Sequence, residues 1–236
     1  MWNRGSVNCA WSNGRKGLTA FWLSLCQNFD KLGCDAKCFG EIAMAIDFAE
    51  AANKAKAINP APALKGVHHS AFRCRDAEET RKFYEDILGL PLKAALVFEE
   101  EPGSGRPIPY MHLFFELGDG NYVAFFDVPE GAHSGKFKMK WGMDLHFAME
   151  AENYATMMAF KERLDQAGIP CFGPIDHHFV HSIYFYDPNG INVEITCRDP
   201  KHDEIMAEES ANAAEIIAAW TARTAAQKAL NAAKKS

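Results

Sequence analysis

The chain has 236 residues, 48% of them hydrophobic, and 25 Lys and Arg stand against 31 Asp and Glu for a formal net charge of −6. That length buries a sizeable core, while the mild negative charge and the lack of a basic run argue against nucleic acid as a partner. No stretch reaches the roughly 18–20 apolar residues needed to cross a bilayer, and seven cysteines without CxxC pairs suit a reduced, cytoplasmic protein better than a disulfide scaffold.

Residues 1–43 hold Trp2, Trp11 and Trp22 and four of the seven cysteines. They lack lasting apolar periodicity and read as an upstream extension outside the natural coding sequence, with Met44 as the start. Arg15 and Lys16 before the apolar run Leu18 to Cys26 faintly suggest a signal peptide, but the run is short and no small-x-small cleavage site follows. Residues 45–57 favour a short helix by propensity. Asn59-Pro-Ala-Pro62 then forms an extended linker, because each proline pushes its predecessor out of the helical region. The N-terminal segment accordingly spans residues 1–63.

From Leu64 to Arg198 the pattern repeats, as residues 64–130 and 141–199. Gly66-Val-His-His-Ser-Ala-Phe-Arg73 and Met143-Asp-Leu-His-Phe-Ala-Met149 open the two copies as strands. Setting His69 on His146, an offset of 77 (146 − 69), also sets Ala71 on Ala148 and Phe83 on Phe160. A helix follows each opening strand. Asp76 caps the first, with Glu79 placed for a capping box, and Phe83, Tyr84, Ile87 and Leu88 form its buried stripe before Gly89. The second helix buries Met157, Phe160 and Leu164 and ends at Gly168.

Hairpins close both copies, turning through Gly118-Asp-Gly120 and Asp187-Pro-Asn-Gly190. Before the first hairpin, Glu99 to Pro109 reads as a loop, placed to cover a cavity mouth. The fold class expected from the pattern is α+β, each copy running strand, helix, then a short run of antiparallel strands. After residue 199 an alanine-rich tail, 200–236, is acidic early and basic late, which suits a helix macrodipole; its Ile205, Ile216, Ile217 and Trp220 can dock on the body or on a partner subunit.

Side chains alternate faces along a strand. Asp144, His146 and Ala148 share one face with Asn192, Glu194 and Thr196, away from the helices. Two histidines at equivalent repeat positions, His69 and His146, together with the carboxylate of Glu194, form a ligand set that holds a divalent metal and leaves positions open for chemistry. His69 is preferred to His68 because it is the one that aligns with His146.

The motifs Gly66-Val-His-His-Ser-Ala-Phe72, Phe83-Tyr-Glu-Asp-Ile-Leu-Gly-Leu-Pro91, Asp144-Leu-His146 and Tyr184-Phe-Tyr-Asp-Pro-Asn-Gly-Ile-Asn-Val-Glu194 resemble the vicinal oxygen chelate superfamily. That family includes lactoylglutathione lyases, fosfomycin and bleomycin resistance proteins and extradiol dioxygenases. The resemblance implies two βαβββ modules forming a curved mixed sheet around a metal-binding cavity, the metal held by His69, His146 and Glu194. At an offset of 70 between the hairpins, Ala124 falls where glyoxalase-like members carry a second ligating Glu. The three remaining ligands resemble the facial triad of non-haem iron(II) oxygenases.

Tyr184 stands ten residues before Glu194, where extradiol enzymes place a tyrosine that bonds the catecholate. His112 and His178 share the cavity parity and are the candidates to move protons, although the histidine that extradiol enzymes carry near Gly120-Asn121 is missing. Tyr110, Phe114, Tyr122 and Phe126 form an aromatic wall on the same parity. The expectation is an iron(II) extradiol-type dioxygenase acting with O2 on a small, aromatic, catechol-like substrate, and a homodimer. The rival readings are a glyoxalase-type lyase or isomerase using Ni(II), Zn(II) or Mn(II), and a metal-free drug-binding protein.

Overall fold

Asp47 starts the first helix: its Oδ1 accepts from the backbone N–H groups of Ala49 and Glu50 at 3.0 and 3.1 Å, two of the donors that every helix start leaves open. The helix, α1, runs Phe48–Lys56. The computed structural model describes residues 46–56 and 62–233. The expectations for the extension of residues 1–43, the start at Met44 and the linker residues 59–61 lie outside them.

The chain divides into two compact units, residues 1–66 with 98–109 and residues 67–97 with 110–236. In the first, the loop expected over residues 99–109 is shorter than expected. Strands β2 (Leu92–Glu100) and β3 (Pro107–Glu116) extend into it, leaving a turn in which Gly105 N–H donates to Glu101 O at 3.0 Å.

The second unit opens with β1 (His69–Cys74) and α2 (Ala77–Arg81), which passes directly into a π-helical stretch at Lys82–Ile87. Asp76 accepts from Glu79 N–H at 2.7 Å. The reciprocal half of the expected capping box is missing, because the Glu79 carboxylate pairs with the Arg75 guanidinium instead. After β4 (Tyr122–Asp127) come β5 (His146–Glu150), α3 (Tyr154–Gln166), β6 (Phe172–Asp176), β7 (Val180–Tyr186), β8 (Asn192–Arg198) and the long α4 (His202–Ala233). No helix among the described residues is long and apolar enough to cross a membrane.

The strands form two four-stranded mixed sheets, ordered β1-β4-β3-β2 and β5-β8-β7-β6. In each, the opening strand runs parallel to the last strand of its module, and the hairpin strands run antiparallel. The registers confirm both repeat offsets. Ala71 and Phe114 flank Ala124 in the first sheet, as Ala148 and Tyr184 flank Glu194 in the second.

Both modules contribute to one apolar core. Phe83, Tyr84, Phe115 and Phe125 from the first cluster with Met157, Leu164, Phe185 and Val193 from the second. Phe72 meets Phe147 at 5.6 Å between ring centroids, and Phe83 meets Phe185 at 6.1 Å. Phe160 packs only at the margin of this cluster, half-buried rather than buried. The faces that join within the chain are thus the helix-bearing ones, whose apolar side chains form the shared core. The sheets are two rather than one, they do not close on each other, and the faces carrying His69 and His146 lie on the sides away from the shared core.

The turn at residues 187–190 ties the modules together. Asn189 Oδ1 accepts from Arg75 N–H at 2.8 Å, and Tyr84 donates its hydroxyl to Asp187 at 3.2 Å. Gly190 has φ 78°, and a Cβ there would stand 2.5 Å from the carbonyl oxygen of Lys138. Gly190→Ala is expected to lower stability by about 2 kcal/mol, or about 4–8 °C in Tm by thermal circular dichroism, since a side chain in the left-handed region adds strain to the clash.

Candidate metal centre

Strand parity and register put three polar side chains in a row on the open face of the second sheet. His146 begins β5 beside Asn192, and Glu194 lies on the central β8 between Ala148 and Tyr184. Glu194 is 7% exposed, a carboxylate that a sheet interior holds only with a partner for its charge.

Its nearest basic atom is His146 Nε2, 3.5 Å from Oε2. The other ring nitrogen, Nδ1, stands 2.7 Å from the carbonyl oxygen of Gly142. A carbonyl only accepts, so Nδ1 carries the proton, and in the neutral ring Nε2 presents its lone pair. Two electron-rich atoms then face each other across 3.5 Å. That contact is repulsive unless a cation, either a second proton on the ring or a metal ion, sits between them. Imidazole oriented by a backbone carbonyl and set beside a buried carboxylate is a donor set that fits a divalent metal.

Tyr184 completes the row. Its hydroxyl donates to Glu194 Oε1 at 3.1 Å and accepts from His177 Nε2 at 2.9 Å. Burial, and then the charge of Glu194, hold the phenol above its ordinary pKa, so it stays a proton donor.

The neighbouring His178 takes a different position from the one its parity suggested. It occupies the turn between β6 and β7 with φ 72°, its N–H bonded to Asp176 Oδ1 at 2.7 Å. The structure brings His177 to Tyr184 instead. Alternation counted back along β7 does not survive a left-handed residue, and the pairing of Phe172 with Tyr184 belongs to β6, a strand without a clear sequence signature.

His69 and His112 lie together on the open face of the first sheet, with ring centroids 6.1 Å apart. His69 Nδ1 is 2.9 Å from His68 Nδ1, which links the adjacent pair. His112 stacks on Phe126 at 3.9 Å and touches Phe114 at 4.2 Å. Its Nε2 is buried without a hydrogen-bond partner among the described residues. Burial, then the charge of His69, pull its pKa down and favour the neutral ring. Among the described residues no group of three or more His, Cys, Asp and Glu side chains assembles to hold a metal. The chain therefore pairs His146 with Glu194 and keeps His69 on the other sheet.

A cavity of about 760 Å³ adjoins the His146 side, lined by Trp141, Phe172, Tyr184, Tyr186 and Asn192 among others. Its size suits a small ligand. The aromatic residues beside His146 are thus partly new, since Trp141 and Phe172 were not among the expected wall, whose Tyr110, Phe114, Tyr122 and Phe126 lie on the first sheet. A second cavity of the same volume, among Leu88, Leu117, Met149 and Phe160, contains no histidine.

The model of the family described as Glyoxalase/Bleomycin resistance protein/Dioxygenase superfamily matches residues 66–195. MhqE of Bacillus subtilis (strain 168), itself only provisionally assigned as a ring-cleaving dioxygenase, is 26% identical over 107 residues, which is 44% of this chain and 32% of MhqE. The chain thus spans about a third of the length of that relative. Among solved structures, a glyoxalase/dioxygenase from Nostoc punctiforme is 27% identical, with a TM-score of 0.44 over 60% of this chain and 98% of its own. A mutant of the fosfomycin resistance protein FosX from Listeria monocytogenes, complexed with Mn(II) and 1S,2S-dihydroxypropylphosphonic acid, is 15% identical over 60% of this chain and 98% of its own, also at a TM-score of 0.44.

Proposed function

The chain belongs to the glyoxalase/bleomycin resistance protein/dioxygenase superfamily, and from that premise we propose that it is a metal-dependent enzyme that cleaves a catechol-like ring with O2, using iron(II). The observation that carries the reading is the row His146, Glu194, Tyr184 and His177, in which two facing lone pairs call for a cation and a phenol stands beside it. Ala124, the repeat counterpart of Glu194, leaves the equivalent place in the first sheet without a ligand.

In this reading His146 and Glu194 hold the metal from the second sheet and His69 holds it from the first sheet of a second copy, since the His69 face points away from the core its own modules share. The active form is then a homodimer. Iron(II), when bound by these residues, would supply Lewis acidity and one-electron chemistry towards O2. Tyr184 turns its hydroxyl from Glu194 to a substrate oxygen and fixes the ring, while Trp141 and Phe172 exclude water from its faces. The second copy's His112, on the same face as its His69, is kept neutral and accepts a diol proton, and His177 returns one through Tyr184.

The test is anaerobic loading with Fe(II), followed by catechols and oxygen. Yellow ring-fission product with matching oxygen uptake is the expected result; its absence across several catechols, with conversion supported by Ni(II), Zn(II) or Mn(II) and no oxygen consumed, would move the protein to the lyases and isomerases. A finer outcome separates the adjacent histidines. His177→Gln is expected to lower ring-fission turnover by roughly 10–100-fold, the range seen when a supporting partner is lost, whereas His178→Gln leaves it within about twofold because only its backbone is engaged.

A further inference from the structure

The long C-terminal helix has an apolar stretch that no described residue covers. None of its residues is buried. Ile216, Ile217 and Trp220 are 53%, 65% and 52% exposed, and at their spacing they share one side of the helix with Met206, Glu209, Ala213 and Thr224. The guanidinium of Arg223 lies over the Trp220 ring at 4.3 Å.

Two features of this helix are symmetric about its centre. The midpoint of His202–Ala233 falls between Ile217 and Ala218, so the exposed apolar cluster sits in the middle. The charges then divide by sign. Before the midpoint stand Asp203, Glu204, Glu208, Glu209 and Glu215, with no Lys or Arg; after it stand Arg223 and Lys228, with no Asp or Glu.

We propose that α4 pairs antiparallel with α4 of a second copy of this chain. A two-fold axis at the midpoint lays the Ile216, Ile217 and Trp220 clusters against each other and sets the acidic half of each helix on the basic half of the other. Glu209 lies as far before the midpoint as Ala226 lies after it, which places it opposite the stretch between Arg223 and Lys228. A parallel pair would put like charges together along the whole length, and antiparallel order also sets the positive end of each helix dipole beside the negative end of the other. The helix is about 48 Å long, enough for several turns of contact on either side of the axis.

The full chain, with p-benzoylphenylalanine at residue 206, is expected on irradiation to cross-link to the stretch from Lys228 to Leu230 of a second copy, since Met206 is the mirror of Ala229. Linkage to residues 202–210 of a second copy, linkage into the sheets, or no linkage between copies overturns the proposal. Charge reversal supplies a second measurement that misfolding does not imitate. Glu209→Lys alone, and Arg223→Glu with Lys228→Glu, are each expected to cut the cross-link between identical copies by about tenfold, as weakened surface ion pairs on both sides of the axis would. Mixing the two variants should restore it, because acid again meets base in the mixed pair. Failure to restore it sinks the idea. No residue in this contact touches His146, Glu194 or Tyr184, so the result stands apart from the ring-cleavage assay.

Discussion

Glu194→Ala is expected to abolish ring-fission turnover and to lower metal affinity by more than the roughly 10–100-fold that loss of an outer partner costs. Glu194 is the only carboxylate facing His146 at ligand distance among the described residues, and its other oxygen holds Tyr184 in place. Both the charge that retains the metal and the acceptor that orients the phenol therefore go together. Titration with Fe(II) followed by oxygen uptake measures the two losses separately.

The same substitution carries a stability signature. Where His146 faces it with a lone pair, the buried carboxylate costs folding energy that a bound metal would offset, and the metal-free alanine variant should then be no less stable than the metal-free parent. Metal should raise the Tm of the parent and leave that of Glu194→Ala unchanged. If added Fe(II) stabilises both alike, the ion binds elsewhere and the metal centre is wrongly placed.

Asp187→Ala should cost about 3–5 kcal/mol, the largest loss of stability expected of any single change, because buried donors left without an acceptor pay their full desolvation cost. Asp187 accepts from Ile191 N–H at 2.8 Å, from Asn189 N–H and Nδ2 at 2.9 Å each, and from the Tyr84 hydroxyl at 3.2 Å. The first three shape the β7–β8 turn that delivers Glu194, and the fourth reaches into the first module. Chemical denaturation measures the loss; a change under about 1 kcal/mol would show that the turn holds without its carboxylate.

Burial pushes the Asp187 carboxyl above its ordinary 3.8, outweighing the hydrogen bonds that pull it down. A raised folded pKa means that the folded state holds the proton longer than the unfolded chain. The stability this contributes is fully present below 3.8 and is lost as pH rises through the raised value. Asp187→Asn has no such titration. Its stability relative to the parent should therefore increase as pH rises across that window, while the rest of the pH profile stays parallel.

Much of this molecule was legible in the sequence because repeats expose register. The offsets of 77 and 70 named His69 and His146 as equivalents and put Ala124 on Glu194, and the strand pairings reproduce both correspondences. Parity also set Tyr184 beside Glu194. What differed was local: the capping box at Asp76 lost its second half to Arg75, and the turn before β7 set His177 rather than His178 against Tyr184. Each depended on a competing partner or a left-handed residue that periodicity does not encode.

The sequence by itself determined the repeat, its opening strands, helices and closing hairpins, and the pairing of chemical types across the two modules, since alternation and repeat spacing depend only on neighbours along a strand. The tertiary structure decided which faces meet. Burial of their apolar side chains joined the helix-bearing faces through Phe72, Phe83, Phe147 and Phe185, and that choice put His69 on one open sheet and His146 with Glu194 on the other. Spacing names candidates for a site; only the competition among surfaces for burial decides whether one chain brings them together.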